Sequence, residues 1–323
     1  MLRKIARYKL LIMFFILYLP ILGVILYFYS GSPPDLDVKM YKGTPIGTSL
    51  EWSHVDLYAR EDGLNIVRTT MFWFIDKNGN LHEIPGIKAL MIAHIQHAHR
   101  LGLKIYVSIR PQYGLGEPKK IPEDIRPIAL EQLKQKVIEW AGICEKWGVE
   151  LYAPIQECEI LTDFKWDDEN SATARLVGDQ DITEWIQHVL PEIKERYSGE
   201  VVCGGGAWGG ATSYAWKEIL DECEVDFTGY DYITFGPYSW HLKYLDDVTV
   251  EAYREYISYS LAKLNEWAER DGCKGVIIRE MGGPREYYEV VFEEGEDTLK
   301  GIITTHWHWD REFVRYWFKE RLP

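Results

Sequence analysis

The sequence predicts an α/β protein, a (β/α)8 TIM barrel preceded by one N-terminal transmembrane helix. Three observations lead to this prediction. Residues 10–29 form a stretch without a single charge near the start of the chain. From about residue 42 onward, short apolar runs alternate with longer amphipathic stretches. The apolar runs number eight over roughly 275 residues, which is the size and rhythm of such a barrel.

The charge-free stretch is long enough to cross a membrane as a helix. It reads LLIMFFILYLPILGVILYFY, and twenty helical residues span about 30 Å, the thickness of a bilayer's hydrocarbon core. Basic residues precede it, so the N-terminus is expected in the cytoplasm and the rest of the chain outside. A cleaved signal peptide is the alternative, but no convincing small-residue cleavage site precedes Ser30. The predicted regions are a basic cytoplasmic segment over 1–9, a single-pass signal anchor in the cell membrane over 10–29, a linker over 30–41 and one extracellular domain over 42–323.

The composition narrows the partners and the kinds of site. The formal net charge is −14, so no positive field exists to collect phosphates, which argues against a nucleic-acid partner. The five cysteines include no CxxC pair, which argues against a zinc knuckle. One disulfide could form in an oxidising compartment, but the spacing does not identify the pair. Aromatic residues reach 14%, which suits stacking on sugar rings. Candidate stacking surfaces at or near predicted loops are Trp52, Trp73, Trp166 and Trp240, and a core position is the alternative for each of them.

The apolar runs are predicted as strands because they are β-rich and bounded by Gly, Pro or charge. They cover 45–50, 65–74, 104–109, 151–156, 200–203, 231–235, 275–279 and 301–305. Helical patterns lie between them at 87–101, 130–147, 182–197, 214–222 and 250–271. Gly102 and Gly148 directly follow two of these patterns, as helix stop signals do. A doubly wound open sheet is the main alternative, but the Gly-rich phosphate turn that it needs after its first strand is absent.

Two of the predicted strands end on glutamates. Glu157 follows the fourth strand and Glu280 follows the seventh. Because the carboxyl ends of barrel strands surround one pocket, these two side chains are expected to face each other. Cleavage of a glycosidic bond needs such a pair, one protonated acid for the leaving oxygen and one ionised group for the oxocarbenium-like centre. Glu159 shares the strand parity of Glu157 and is the alternative acid.

The order of these strand ends resembles the clan A glycoside hydrolases, which are (β/α)8 enzymes with a retaining mechanism. The nearest group is the family 113 β-mannanase-like barrels, and the resemblance covers roughly residues 42–315. Each motif is short, and their order and spacing carry the resemblance. The matching segments are 65–68, 105–111, 153–159, 235–238, 276–283 and 306–309.

The resemblance implies a role for each strand-end residue. Glu157 would be the acid/base and Glu280 the nucleophile, with Arg68 and Tyr238 supporting the nucleophile. Trp307, after the eighth strand, would form the floor of the sugar site. The clan usually has an asparagine before the acid/base, where it bonds the sugar 2-hydroxyl, whereas this chain has Gln156, whose amide lies one methylene further out.

One candidate for substrate binding comes from the residues themselves. Trp208 lies in a glycine-rich loop after the fifth strand. The loop could cradle a phosphate, but no Lys-Ser/Thr pair follows it as in a P-loop. We therefore interpret Trp208 as a residue that a flexible loop presents to a sugar.

These observations together predict a retaining glycoside hydrolase that cleaves β-glycosidic bonds of an extracellular glycan, with a β-mannan-like polymer suggested by the resemblance. The partners are an oligo- or polysaccharide substrate and the membrane, and the chemistry requires no cofactor. The first alternative is a catalytically inactive carbohydrate-binding barrel of the cell envelope, which the glutamine at position 156 favours. The second alternative is a metal-dependent hydrolase built on His306, His308 and Asp310, which alternate at the end of the eighth strand. A helical stretch also carries several histidines, but no HExxH motif occurs, and we predict solvated side chains for His94, His97 and His99.

Overall fold

A computed structural model of the chain describes residues 38–47, 49–113, 121–161, 179–205, 216–238, 242, 248–281 and 283–323. The predicted transmembrane span 10–29 lies outside these residues, so it stays a prediction from the sequence. Among the helices that are described, none is both long enough and apolar enough to span a bilayer.

The described chain forms a closed barrel of eight parallel strands, which confirms the predicted (β/α)8 class. Each barrel strand pairs with the next one along the chain, and the first strand pairs with both the second and the last, which closes the sheet. A ninth, short strand, β3, pairs antiparallel with the end of β2. The strands are β1 Tyr41–Ile46, β2 Ile66–Ile75, β3 Leu81–Glu83, β4 Lys104–Tyr113, β5 Leu151–Ala153, β6 Glu200–Gly204, β7 Tyr232–Phe235, β8 Val276–Ile278 and β9 Leu299–Ile303.

Helices cover the outside of the barrel and mostly agree with the sequence pattern. The described α-helices are α1 Ser49–Asp62, α2 Ile87–Arg100, α3 Arg126–Trp147, α4 Asp179–Arg196, α5 Trp216–Asp221, α6 Val250–Asp271, α7 Arg285–Gly295 and α8 Arg311–Tyr316. The predicted helix stop at Gly148 is confirmed. This residue adopts a left-handed conformation with φ of 66°, and its N–H bonds the Glu145 carbonyl.

The prediction for the first strand was wrong at its carboxyl end. The strand stops at Ile46, and α1 begins at Ser49, inside the run that the sequence predicts as strand. The apolar run therefore spans two elements. The helix gives a weak amphipathic signal, because it buries few apolar side chains, among them Val55 and Ala59, while Leu57 is exposed.

The interior of the barrel changes from apolar to polar toward the carboxyl ends of the strands. Its lower layer is a cluster of buried apolar residues that includes Ile66, Tyr106 and Ile277. Side chains alternate along a strand, so the residue two positions further on points into the same interior. These next residues are Arg68, Ser108 and Arg279, and all three are buried. The fold thus places a polar layer directly above an apolar one.

A buried carboxylate ties the C-terminal segment to α1. Asp62 is fully buried, and it accepts hydrogen bonds from the Trp307 indole at 2.9 Å and from two nitrogens of Arg311. An arginine that loses a buried partner is left with an uncompensated charge, at a cost of a few kcal/mol. The Arg311 side chain is 32% exposed, so water screens part of this cost.

We therefore expect Asp62→Ala to lower the free energy of unfolding by roughly 2–3 kcal/mol, measured by urea denaturation. Glu61→Ala is the matched control, because the exposed Glu61 also pairs with Arg311, at 3.3 Å. The control should change stability by less than about 0.5 kcal/mol. Equal effects of the two substitutions would contradict this account of Asp62.

Candidate active site

Glu280 lies just beyond the end of β8 and is held by several donors. Arg68, on β2, donates from Nη2 to Glu280 Oε2 at 2.6 Å. The Gln156 amide donates to the same oxygen at 3.2 Å. The hydroxyl of Tyr238 donates to the other oxygen, Oε1. These contacts bring together four of the residues that the sequence predicts for the site, Glu280, Arg68, Gln156 and Tyr238.

Glu157 follows β5 and is paired with two arginines. Arg279 Nη2 donates to Glu157 Oε1 at 3.1 Å, and Arg110 Nη2 lies 3.0 Å from Oε2. The Glu157 side chain is 12% exposed and that of Glu280 is 15% exposed, so both are mostly buried and keep a small surface in contact with solvent. Each oxygen of Glu157 therefore faces a guanidinium.

Arg279 joins the two glutamates. Besides its bond to Glu157, its Nη1 lies 3.2 Å from Glu280 Oε2, and its Nε donates to the Gly205 carbonyl at 3.4 Å. The side chain is completely buried. Burial lowers the pKa of the Arg279 guanidinium, and Glu157 opposes that shift. The shared guanidinium brings the two carboxylates together at the carboxyl end of the barrel.

Sequence reasoning assigned no role to Arg110 and Arg279, although both stand within the strand-end segments that carry the resemblance. Strand parity could have found them. Arg279 lies two residues after Ile277, and Arg110 lies four residues after Tyr106, so both share the inward face of the barrel. A charged residue at the inward-facing end of a barrel strand indicates a functional site more strongly than the same residue on a helix does.

Gln156 is turned toward the glutamates. Its side chain is buried, and besides donating to Glu280 it accepts a hydrogen bond from the Ser108 hydroxyl at 3.3 Å. Its backbone is closely packed as well. A Cβ at Gly204 would lie 2.2 Å from the Gln156 carbonyl oxygen, so glycine is needed there. The amide is thus engaged at the carboxylate, where the resemblance implies a contact with a sugar hydroxyl.

The tryptophans that the structure describes are mostly buried, whereas Trp52 and Trp147 are partly buried and Trp309 is exposed. The ring of Trp52 packs against His97. Trp307 is only 1% exposed and donates to Asp62, so little of its surface is open to a sugar, and its predicted role as a floor stays a prediction that this packing does not favour. Trp73 is fully buried, so its prediction as a stacking surface was wrong. Trp309 follows β9 at the carboxyl end of the barrel and is 83% exposed. The predicted stacking residues outside the described part of the chain are Trp166, Trp208 and Trp240.

The residues of the metal alternative have other partners. His308 Nε2 lies 2.9 Å from the Thr44 hydroxyl, and burial lowers the pKa of its imidazole. Asp310 caps α8 by accepting from the Phe313 N–H at 3.3 Å. The side chain of His306 is not described. Within the described side chains, no group of three His, Cys, Asp or Glu residues could hold a metal ion.

The helix histidines are less solvated than the sequence predicts. His94 and His99 are buried, and they contact Thr69 at 3.1 Å and Glu150 at 3.4 Å. His97 is partly exposed and pairs with Asp56. The prediction of solvated side chains is therefore wrong for the first two, because α2 turns them toward the barrel. Their contacts join α2 to neighbouring elements.

Two cysteines beside the site are close enough to react with each other. None of the five cysteines is in a disulfide, and the sulfurs of Cys158 and Cys203 lie 3.3 Å apart in the interior. We expect mild oxidation of the folded protein to join these two, as peptide mapping by mass spectrometry would show. Cys158→Ser should abolish the linked peptide. A bridge that forms instead through Cys223 or Cys273 would contradict this pairing.

Comparison with known proteins supports the fold. No protein-family model matches the chain, and no curated protein matches it significantly. A GH113 β-1,4-mannanase is similar in structure, with a TM-score of 0.58 and 12% identity over 88% of this chain and 99% of that one. The GH113 β-mannanase of Alicyclobacillus acidocaldarius has a TM-score of 0.55 and 16% identity over 84% and 88% of the two chains. An endoglucanase of Pseudomonas stutzeri has a TM-score of 0.57 and 14% identity over 87% of this chain and 94% of that one. The resemblance to clan A barrels is confirmed at the level of the fold.

Proposed function

We propose that this protein is a retaining glycoside hydrolase that cleaves β-glycosidic bonds. The observation that carries the proposal is the pairing of Glu157 and Glu280 through the buried guanidinium of Arg279. Two carboxylates at one pocket match the requirement of glycosidic cleavage. The barrels of β-mannanases and an endoglucanase share this fold, which supports the reaction class by analogy.

Glu280 is the proposed nucleophile. Donation from Arg68, Gln156 and Tyr238 fixes the orientation of its carboxylate. One carboxylate oxygen attacks the anomeric carbon as the bond to the leaving oxygen breaks. The product of this step is a glycosyl ester on Glu280, in which the carboxylate has lost its charge.

Glu157 is the proposed acid/base. In the first step it donates a proton to the leaving oxygen, and the alcohol departs with that proton. The resulting carboxylate then takes a proton from water as the water oxygen attacks the anomeric carbon of the glycosyl ester. The bond between this carbon and the Glu280 oxygen breaks. Glu280 is released as a carboxylate, and Glu157 is protonated again. Arg279 contacts both residues throughout and is proposed to hold their separation.

The proposal is tested by hydrolysis of a glycan panel by the full-length chain, with and without a chelator. The panel contains β-mannan, β-glucan, β-galactan and aryl β-glycosides, since the similar structures include mannanases, endoglucanases and β-1,4-galactanases. We expect turnover of at least one β-linked member that the chelator does not reduce. Turnover that disappears with chelator would favour the metal-dependent alternative.

A carbohydrate-binding barrel without turnover is the second candidate. Two observations favour it: the Gln156 amide is engaged at Glu280, and each oxygen of Glu157 faces an arginine. Calorimetric binding of oligosaccharides from the panel, without release of reducing ends, would support this candidate over the hydrolase. Removal of the Gln156 amide by Gln156→Ala should then leave binding largely intact.

We also propose that residues 10–29 anchor the domain to the cell membrane, with the domain outside. The support is the charge-free length and the basic residues before it. The full-length chain should stay in the membrane pellet after an alkaline carbonate wash, and externally added protease should digest its domain in intact cells. A chain lacking residues 1–29 should leave the pellet, and recovery of the full-length chain in the wash would contradict the anchor.

A further inference from the structure

Each oxygen of Glu157 faces one arginine. A guanidinium can only donate, whereas an acid has to present one of its oxygens, with the hydrogen, to the leaving oxygen. Arg279 lies on Oε1 and Arg110 on Oε2, and each oxygen keeps one further lone-pair position. Departure of one arginine would leave an oxygen of Glu157 without a competing donor and open to the leaving oxygen.

Arg110 is the arginine that can leave. Arg279 is fully buried and is held by Glu280 and the Gly205 carbonyl as well as by Glu157. The Arg110 side chain is 20% exposed, and Glu157 is the one partner found for it among the described residues. A small rotation of its side chain toward solvent would free Glu157 Oε2. The departure becomes favourable when another anion receives the guanidinium.

The charge of the pocket is suited to such an anion. Three guanidinium groups, on Arg68, Arg110 and Arg279, face the two carboxylates of Glu157 and Glu280. The described part of the site therefore carries one excess positive charge, in a chain whose net charge is −14. A local reversal of sign within an acidic protein attracts an anionic ligand to that point.

We propose that Arg110 binds the carboxylate of an acidic sugar, and that the substrate is a β-linked glycan containing uronic acid. This inference rests on the proposed function. A carboxylate matches the planar guanidinium in two parallel hydrogen bonds. Because Glu157 donates to the leaving oxygen, the acidic unit occupies the leaving-group side of the cleaved bond. Its binding draws Arg110 away and leaves Oε2 of Glu157 free to face the leaving oxygen, so the correct substrate completes the site.

The test uses two β-linked disaccharides that share one glycon and one linkage and differ in the leaving unit, glucose or glucuronate. We expect the wild-type chain to cleave the glucuronate member with a kcat/KM at least about tenfold higher, the effect of one charge-assisted hydrogen bond. Arg110→Gln should remove this preference and raise turnover of the glucose member. Arg285→Gln is the matched control, because Arg285 is exposed and pairs with Asp310 rather than with Glu157 or Glu280. The control should keep the wild-type preference.

The outcomes separate this inference from the proposed function. Equal cleavage of both disaccharides, unchanged by Arg110→Gln, would overturn the uronate preference and leave the hydrolase intact. If neither disaccharide is cleaved, calorimetry on the wild type decides. Tighter binding of the glucuronate member that Arg110→Gln removes would support the acidic ligand without the hydrolase. A preference for a disaccharide with a sulfated glucose as leaving unit over the glucuronate member would also overturn the assignment to a carboxylate.

Discussion

Glu280→Gln is expected to lower kcat/KM for the best substrate of the panel by about 10³-fold or more. The amide has nearly the same shape as the carboxylate but cannot attack the anomeric carbon, so the glycosyl ester never forms. The measurement is the release of reducing ends at saturating and at low substrate. Circular dichroism and thermal unfolding would confirm that the variant is folded.

Glu286→Gln is the matched control for this prediction. Glu286 lies in the first turn of α7, at the same end of the barrel, and it is exposed to solvent. The control should keep turnover within about twofold of the wild type, as surface substitutions usually do little. If Glu280→Gln kept full activity, the assignment of the nucleophile would be wrong.

Glu157→Gln should have the second largest effect, and the effect should depend on the leaving group. A natural glycan has a poor leaving group that needs a proton, so its turnover should fall by about 10²- to 10⁴-fold. An aryl glycoside with an acidic phenol needs little proton donation in the first step. Its rate of glycosylation, measured as a burst of phenol, should therefore fall far less.

Glu159→Gln separates the two candidate acids. Glu159 lies in the short 3-10 helix Cys158–Leu161 that follows β5, whereas the Glu157 carboxylate contacts two arginines of the pocket. We expect Glu159→Gln to reduce turnover little for every leaving group. A leaving-group dependence seen with Glu159→Gln and absent with Glu157→Gln would reverse the assignment.

Strand parity and strand order explain why much of the site could be predicted from the sequence. In a barrel of parallel strands, residues that follow the strands meet at one end regardless of their separation along the chain. Glu157 and Glu280 lie 123 residues apart in the sequence, yet both contact Arg279. Arg68 and Tyr238 reach Glu280 for the same reason.

The partners of each side chain could not be predicted in the same way. Parity gives the face of a strand on which a residue lies but not the neighbour that its side chain reaches. Trp307 follows the eighth barrel strand, as the resemblance implies, yet it packs against Asp62 of α1. Helix α1 itself gave too weak an apolar pattern to be predicted. The two arginines on Glu157 come from different strands, so no local pattern indicates their meeting.

The most direct test of the two-glutamate mechanism is to trap its covalent intermediate. The wild-type chain is incubated with the 2,4-dinitrophenyl 2-deoxy-2-fluoro β-glycoside of the sugar that the panel identifies. Fluorine at position 2 slows both steps, while the good leaving group still permits the first. We expect the intact mass to rise by one fluoroglycosyl unit, and peptide mapping to place that unit on Glu280. A label on Glu157 or Glu159, or hydrolysis by inversion of the anomeric configuration, would contradict the mechanism.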